Sequence, residues 1–297
     1  MGAIFRFTYM GNYRNLFALV MIATAAGAAV GDENSLVPPV RGSYLGWRSE
    51  AVGNPYGANL IGWVGWRDPL FESTQDFCAY NFMGIEFSGS ARSHESHIGA
   101  RLMVQPISLV QLSLDYRRIA YPWGLVSLQH TSPKAEDRIW DTWDWGDARW
   151  GDEFTGTASI QKEYGPIQGR FKFDWSRLDI DDSRDSLYIP SEDIPCRSRD
   201  DILRGDASLG YLVASPFLSA WGVAYTDVRS VTAGYERDRA GLWVQAWPFS
   251  SRSPTAIMRY WHARARLDLW LHHELRKSEP RLEISIGWEK NLLAPLE

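Results

Sequence analysis

The strongest constraint in this sequence is an alternation of apolar and polar residues with a period of two, repeated along the chain. In the segment LVQLSLDYRR, Val110, Leu112, Leu114 and Tyr116 fall on one face, and polar or charged residues occupy the other. A period of two places successive side chains on opposite faces of a β-strand. The chain shows no helical period after residue 30. The sequence therefore predicts an all-β fold.

The same alternation predicts about twelve strands. The clearest four lie at 109–118, 169–177, 262–270 and 281–290. Weaker ones lie at 58–67, 77–87, 98–104, 155–164, 206–213, 218–228 and 239–247, and the weakest, at 43–50, comes first.

The predicted connections alternate between short and long. Tight turns with proline fall at 105–108, 165–168 and 215–217, whereas longer polar connections fall at 122–153, 181–203 and 231–237. An even number of long strands, with short turns at one end and long loops at the other, is typical of a transmembrane antiparallel up-and-down β-barrel. The alternative fold, a secreted β-sandwich, is disfavoured by the strand length and by the charge spread along the polar face.

The N-terminus is predicted to be a cleaved export signal at residues 1–28. Arg6 and Arg14 form a basic region, 16–29 is apolar, and the small residues at 26–28 match a cleavage site. The apolar run is shorter than the about 20 residues that a spanning helix needs. Cleavage removes two arginines and no acid, which changes the net charge from -5 to -7. An acidic mature chain argues against nucleic acid as a partner.

With a signal and alternating strands, the chain resembles Gram-negative outer-membrane β-barrel proteins. SIQKEYGPIQGRFKFDW, DSLYIPSEDIP and GDASLGYLVASPFLSAWGVAYTD also resemble barrels described only as hypothetical outer-membrane proteins. The resemblance implies location in the bacterial outer membrane, contact with its lipid and lipopolysaccharide, and delivery by the barrel-insertion machinery, but no particular activity. The expected organisation is a signal peptide at 1–28, a periplasmic segment at 29–42, the barrel at 43–290 and a tail at 291–297. The tail departs from the family pattern, because such barrels often end on the aromatic residue that closes the last strand, here Trp288.

The polar face of the strands is predicted to line the lumen of a narrow channel or binding pore for small polar solutes. The residues expected to set its selectivity are Arg101, Asp115, Arg117, Arg170, Lys172, Asp174, Arg264, Arg266, Asp268 and Glu283. Asp206 and Glu289 complete a set with equal numbers of basic and acidic residues. A pore selective for one sign of charge would show one sign. The balance favours cross-strand pairs, such as Arg101 with Asp115 and Arg266 with Glu283.

Two other functions are compatible with this sequence. One is a non-conducting structural or surface-binding barrel, whose lumen is filled by a polar ladder and whose long loops contact glycan or lipopolysaccharide. The other, less favoured, is an outer-membrane hydrolase. SARSHESH (90–97) combines serine with histidine, but in a predicted polar loop and outside the His-x-Ser-Asn-Gly pattern of outer-membrane phospholipases. The sequence therefore predicts no enzyme and no catalytic residue.

The segment RIWDTWDWGDARWGDEF (138–154) is predicted to lie on the longest extracellular loop and to lead into the strand at 155. Its tryptophans can stack on sugars, pack on one another or lie at the lipid headgroups; they are Trp140, Trp143, Trp145 and Trp150. Its aspartates lack the spacing of a calcium loop, so neither a metal nor a cofactor is predicted. Cys78 and Cys196 are compatible with one disulfide or with two thiols.

Overall fold

Twelve antiparallel strands close into a barrel in the computed structural model of the chain, which describes residues 42–53, 57–71, 81–92, 95–122, 126–127, 148–182, 187–189, 194–213, 218–246, 261–273 and 280–291. The barrel strands are β1 (Gly42–Gly53), β2 (Gly57–Asp68), β3 (Phe82–Arg92), β4 (Ser96–Ile107), β5 (Val110–Tyr121), β7 (Arg149–Tyr164), β8 (Ile167–Ile180), β11 (Arg199–Leu212), β12 (Leu218–Ser230), β13 (Tyr235–Ala246), β14 (Trp261–His273) and β15 (Pro280–Asn291). Each pairs with the next, and β15 closes the ring against β1. A separate small sheet contains β6 (Val126–Ser127), β9 (Leu187–Ile189) and β10 (Ile194–Cys196).

The outer face of the barrel is apolar and the inner face is polar. On β5, Leu114 and Tyr116 are about half exposed, whereas Asp115 between them is 5% exposed. Exposed leucine, phenylalanine and tryptophan side chains continue along β8 and β14. A closed barrel with an apolar outside and a polar inside is the architecture of outer-membrane proteins. The predicted transmembrane β-barrel and its outer-membrane location are therefore confirmed. The described residues contain no helix that is long and apolar enough to span a membrane.

All twelve predicted strands are present, but several bounds were wrong. β7 begins at Arg149 rather than at 155, and β11 begins at Arg199 rather than at 206. Outward-facing charges near these strand ends, such as Asp152 and Asp201, interrupt the alternation and resemble loop sequence. β3 lies at Phe82–Arg92 rather than at 77–87, because its second half, SGSAR, contains few residues that favour strands.

The two ends of the barrel differ. β1 begins and β15 ends at the same end, where two-residue turns at 108–109 and 165–166 join neighbouring strands. The connections 122–148 and 181–198 lie at the opposite end, which we call the outer end because long loops of such barrels are extracellular. The predicted asymmetry was only partly correct: the connections 69–81 and 247–260 belong to the inner end, and the short ones 54–56 and 93–95 to the outer end.

Candidate functional site

Ion pairs between neighbouring strands fill part of the lumen. Arg101 on β4 faces Asp115 on β5, and its Nε lies 2.6 Å from the Asp115 carboxylate. Arg117, one inward position further along β5, lies 3.9 Å from the same carboxylate and 3.4 Å from Glu153 on β7. The carboxylate of Asp115 is thus shared by two guanidinium groups.

A second group of charges connects β11 to β14. Asp268 is 1% exposed, and its carboxylate lies 2.7 Å from Arg266 Nε and 3.1 Å from Arg239 Nη1. Arg266 also donates a hydrogen bond of 3.0 Å to the Thr226 hydroxyl, which donates one of 2.6 Å to Asp206. A buried carboxylate is stable only when its charge is paired, so this network fixes the arginines that surround it.

The remaining predicted lumen residues also face inward. Lys172 forms an ion pair of 3.1 Å with Asp174, and the Arg264 guanidinium lies 5.1 Å from the ring centre of Trp243. Arg170 precedes Lys172 by two residues and shares its face of β8. Glu283 lies opposite Arg266 in the register, as predicted, but its 2.9 Å ion pair is with Arg281 on its own strand. The side chain of Glu289 lies outside the described residues.

The sequence predicted equal numbers of basic and acidic residues in the lumen, whereas the described part of the inner face carries more basic ones. Basic residues that the sequence pattern missed are Arg48, Arg67, Arg92, Arg149, Arg204, Arg237, Arg239 and Arg281. Fewer acids were missed, and they are Glu50, Glu86 and Glu153, with Glu95, Asp182 and Asp200 at the outer end. Most of these residues lie in strands whose alternation is weak, or at strand ends beyond the predicted bounds.

Aromatic rings lie close against glycines in the inner half of the lumen. Tyr44 on β1 covers Gly65 on β2, where an added Cβ would lie 2.5 Å from the phenol ring. Trp63 covers Gly46 in the same way, at 2.6 Å. The two glycines leave the space in which these rings rest against the barrel wall.

The outer end of the lumen is filled on one side by a buried apolar cluster, which we call the outer plug. It consists of β9, β10 and the inward side chains at the outer ends of four strands, Ile119, Tyr121, Leu178, Ile180, Ile202 and Val228. Leu187 and Cys196 are fully buried within it. The alternation pattern predicts a loop for this segment, because β9 and β10 have three residues each and show no measurable period.

Asp200 fastens the outer plug to the barrel. Its carboxylate accepts hydrogen bonds from the Arg197 amide (3.0 Å), the Ser230 hydroxyl (2.6 Å) and the Thr232 amide (2.9 Å). Cys196 lies nearby as a thiol, and burial, together with the charge of Asp200, raises its pKa. Its predicted alternative partner, Cys78, lies outside the described residues.

The polarity of the wall inverts around the outer plug. There most inward residues are apolar, and outward ones form charged pairs, including Arg118 with Asp152, Arg177 with Asp201, Arg199 with Asp179 and Arg229 with Asp227. Just below this belt, outward tyrosines reach up to it: Tyr116 donates to Asp152 (2.6 Å) and Tyr225 to Asp238 (3.2 Å). Aromatic residues of this kind mark the membrane–water boundary. The outer strand ends therefore extend beyond the membrane.

Two sequence placements need correction. Trp150 lies within β7 with its side chain on the outer face, not in a loop, because the charged residues around it belong to the strand end beyond the membrane. Trp140, Trp143 and Trp145 lie outside the described residues. Ser90 and His97 lie on β3 and β4 rather than in a loop, and the Ser90 hydroxyl is 2.8 Å from His97 Nδ1 on the inner face. Across the described residues, histidine, cysteine and carboxylates form no cluster suited to a metal.

The chain is similar in structure to several solved β-barrels. An outer membrane channel from Pseudomonas putida F1 is 12% identical, with 88% of this chain and 100% of that chain covered and a TM-score of 0.43. The NanC porin is 10% identical, with coverages of 84% and 100% and a TM-score of 0.40. LpxR from Salmonella typhimurium is 10% identical, with coverages of 82% and 99% and a TM-score of 0.39. No family model matches the chain, and no curated protein is similar to it. At these scores the similarities carry no argument about function.

Proposed function

We propose that this barrel is a narrow outer-membrane channel for small polar solutes that carry negative charge. The observation that supports it is the excess of basic residues on the described inner face. At Asp268, two arginines, Arg239 and Arg266, lie against a single carboxylate. Fixed positive charge along a narrow path raises the local concentration of anions and opposes the entry of cations.

The ion pairs also hold the arginines in fixed positions. Arg239 and Arg266 are nearly buried against Asp268. A solute anion that approaches such a group meets a preorganised charge, so little side-chain entropy is lost on contact. The acids thus hold the basic groups in place without cancelling the total positive charge.

The outer plug directs the proposed path toward one wall. It contacts β5, β8, β11 and β12, where most inward residues at the outer end are apolar. On β1 to β4 and β15, most inward residues at the same end are polar, among them Glu50, Asn59, Ser90, His97 and Arg281. We therefore infer that a solute enters along the wall formed by β15 and β1 to β4.

Conductance in planar bilayers tests this function. The purified barrel is expected to conduct, and a salt gradient is expected to give a reversal potential of the sign for anion preference. Arg266→Ala and Arg264→Ala should shift that potential toward cations, whereas Arg229→Ala, a control on the outward belt, should leave it unchanged. Absence of conductance at any voltage, from protein shown to be folded, would overturn the channel.

The outer plug also supports a second candidate, a non-conducting barrel that binds at the cell surface. Its apolar core is typical of a domain that extends from the membrane rather than of an open mouth. A folded barrel without conductance is its expected outcome. The Ser90–His97 contact supports a hydrolase more weakly, and release of fatty acid or peptide that Ser90→Ala abolishes is the result that would establish one.

A further inference from the structure

A groove of about 800 Å³ crosses the outer, membrane-facing surface of β1 to β5 and β7. Its floor consists of small residues, and larger side chains form its sides. The floor residues are Gly62, Gly89, Ala91, Ser96 and Ala120, and the large flanking residues are Trp47, Leu60, Ile98 and Trp150. We call it the lipid-face groove. It is independent of the lumen and of the proposed channel.

The strand register explains how the groove forms. Trp47, Gly62, Gly89, Ile98 and Arg118 are successive partners across β1 to β5, and they form one row of the outer face. The adjacent row contains the other small floor residues, paired as Leu60, Ala91, Ser96, Ala120 and Trp150. Elsewhere on the same strands the outer face carries large apolar side chains such as Phe87, Leu102 and Leu114.

The groove runs obliquely, from the membrane interior to the water boundary. Trp47 lies near the middle of β1, whereas Arg118 lies close to the outer end of β5. Neighbouring strands are about 4.8 Å apart, so the four steps from β1 to β5 span roughly 19 Å. One half of the hydrocarbon core of a bilayer is roughly 15 Å thick. The groove is therefore long enough to hold one acyl chain of the outer leaflet.

Charged groups stand at the boundary end of the groove. The Arg118 guanidinium forms an ion pair with Asp152 and lies 5.8 Å from the ring centre of Trp150. A guanidinium has five N–H donors, and within the part of the chain that the structure describes only Nη1 has an acceptor, Asp152. The other donors suit a phosphate, which arginine binds with two parallel hydrogen bonds.

We propose that the lipid-face groove holds one acyl chain of a lipopolysaccharide molecule, with a phosphate of its lipid A beside Arg118. The membrane surrounds this face, and an apolar groove left empty there would forfeit the van der Waals contacts of its lining. The groove opens at the outer end, so it faces the leaflet in which lipopolysaccharide resides. From the membrane interior outward, the groove offers an apolar surface and then the Arg118 guanidinium. Lipid A presents its acyl chains and its phosphates in the same order.

Filling the groove tests the proposal. At Gly62 the nearest atom to an added Cβ lies 4.0 Å away, and at Gly89 it lies 3.6 Å away, so both positions accept a side chain. Gly62→Leu with Gly89→Leu should lower the affinity of the refolded barrel for purified lipid A at least tenfold, measured by native mass spectrometry in detergent. Gly205→Leu is the matched control, since Gly205 is also on the outer face, has no neighbour within 4 Å and lies outside the groove.

Removal of the Arg118 charge gives a second test that does not depend on filling the groove. Arg118→Gln should weaken lipid A binding severalfold, whereas Arg177→Gln, on the same belt, should not. The proposal is overturned if the leucine variant, folded as judged by its gel mobility before and after boiling, binds lipid A as tightly as the unaltered protein. It is also overturned if phosphatidylethanolamine competes with lipid A for binding equally well. If the leucine variant does not fold, an Arg118→Gln variant that binds lipid A as tightly as the unaltered protein overturns the proposal.

Discussion

The indole of Trp243 on β13 covers Gly210 on β11, so closely that a Cβ at Gly210 would lie 2.5 Å from the ring. The two residues are separated by β12, where Gly222 lies opposite both of them in the register. The indole reaches across this glycine, and its Nε1 donates a 3.1 Å hydrogen bond to the Val223 carbonyl. Two inward glycines, Gly210 and Gly222, therefore provide the surface against which the Trp243 indole rests.

Gly210→Ala is expected to destabilise the barrel, because the ring is rigid and held by its hydrogen bond. Overpacking of this kind costs about 1–3 kcal/mol, which guanidinium unfolding of the refolded barrel in detergent can measure. Gly205→Ala on the same strand is the control, since nothing lies within 4 Å of its Cβ position. Equal stabilities of the two variants would contradict the proposed role of Gly210.

Much of this barrel can be predicted from the sequence, because a membrane-spanning strand must be apolar outside and polar inside. Segments that obey this rule throughout, such as 109–118, were placed correctly. The rule fails where β7 and β11 leave the membrane, since Asp152 and Asp201 face water and Ile202 faces the outer plug. The plug itself brings together residues distant in sequence, such as Ile119 and Cys196, and no local pattern encodes that arrangement.

Asp200→Ala is expected to loosen the outer plug, because it removes the acceptor for Arg197, Ser230 and Thr232. Cys196 reports the change when Cys78 is replaced by serine, since its thiol is fully buried. We expect a maleimide to label it at least tenfold faster in Asp200→Ala. Asp201→Ala is the control for loss of a neighbouring acid. Asp200→Asn removes the charge but keeps an oxygen that accepts hydrogen bonds, so it separates the effect of charge from that of the hydrogen bonds. Unchanged labelling in Asp200→Ala would show that other contacts hold the plug.

Cys196 should also make stability depend on pH. Burial raises its pKa in the folded barrel, so the unfolded chain loses this proton at a lower pH than the folded one. The contribution is fully present below the unfolded pKa, about 8.5, and falls by up to about 1.4 kcal/mol per pH unit above it. Unfolding free energies between about pH 7 and about pH 10 should therefore decline more steeply for the unaltered protein than for Cys196→Ala. Parallel curves would contradict this.

Asp268→Asn should destabilise the barrel far more than Asp227→Asn. Both carboxylates pair with arginine, but the Asp268 side chain is 1% exposed and lies against Arg239 and Arg266, whereas that of Asp227 is 23% exposed on the outward belt. Removal of one partner from a buried ion pair costs about 3–5 kcal/mol, because the remaining charge loses its compensation. An exposed pair contributes about 1 kcal/mol or less. Guanidinium unfolding of the two variants in the same detergent measures the difference, and added salt should reduce only the smaller effect. Similar losses for both variants would mean that water reaches Asp268.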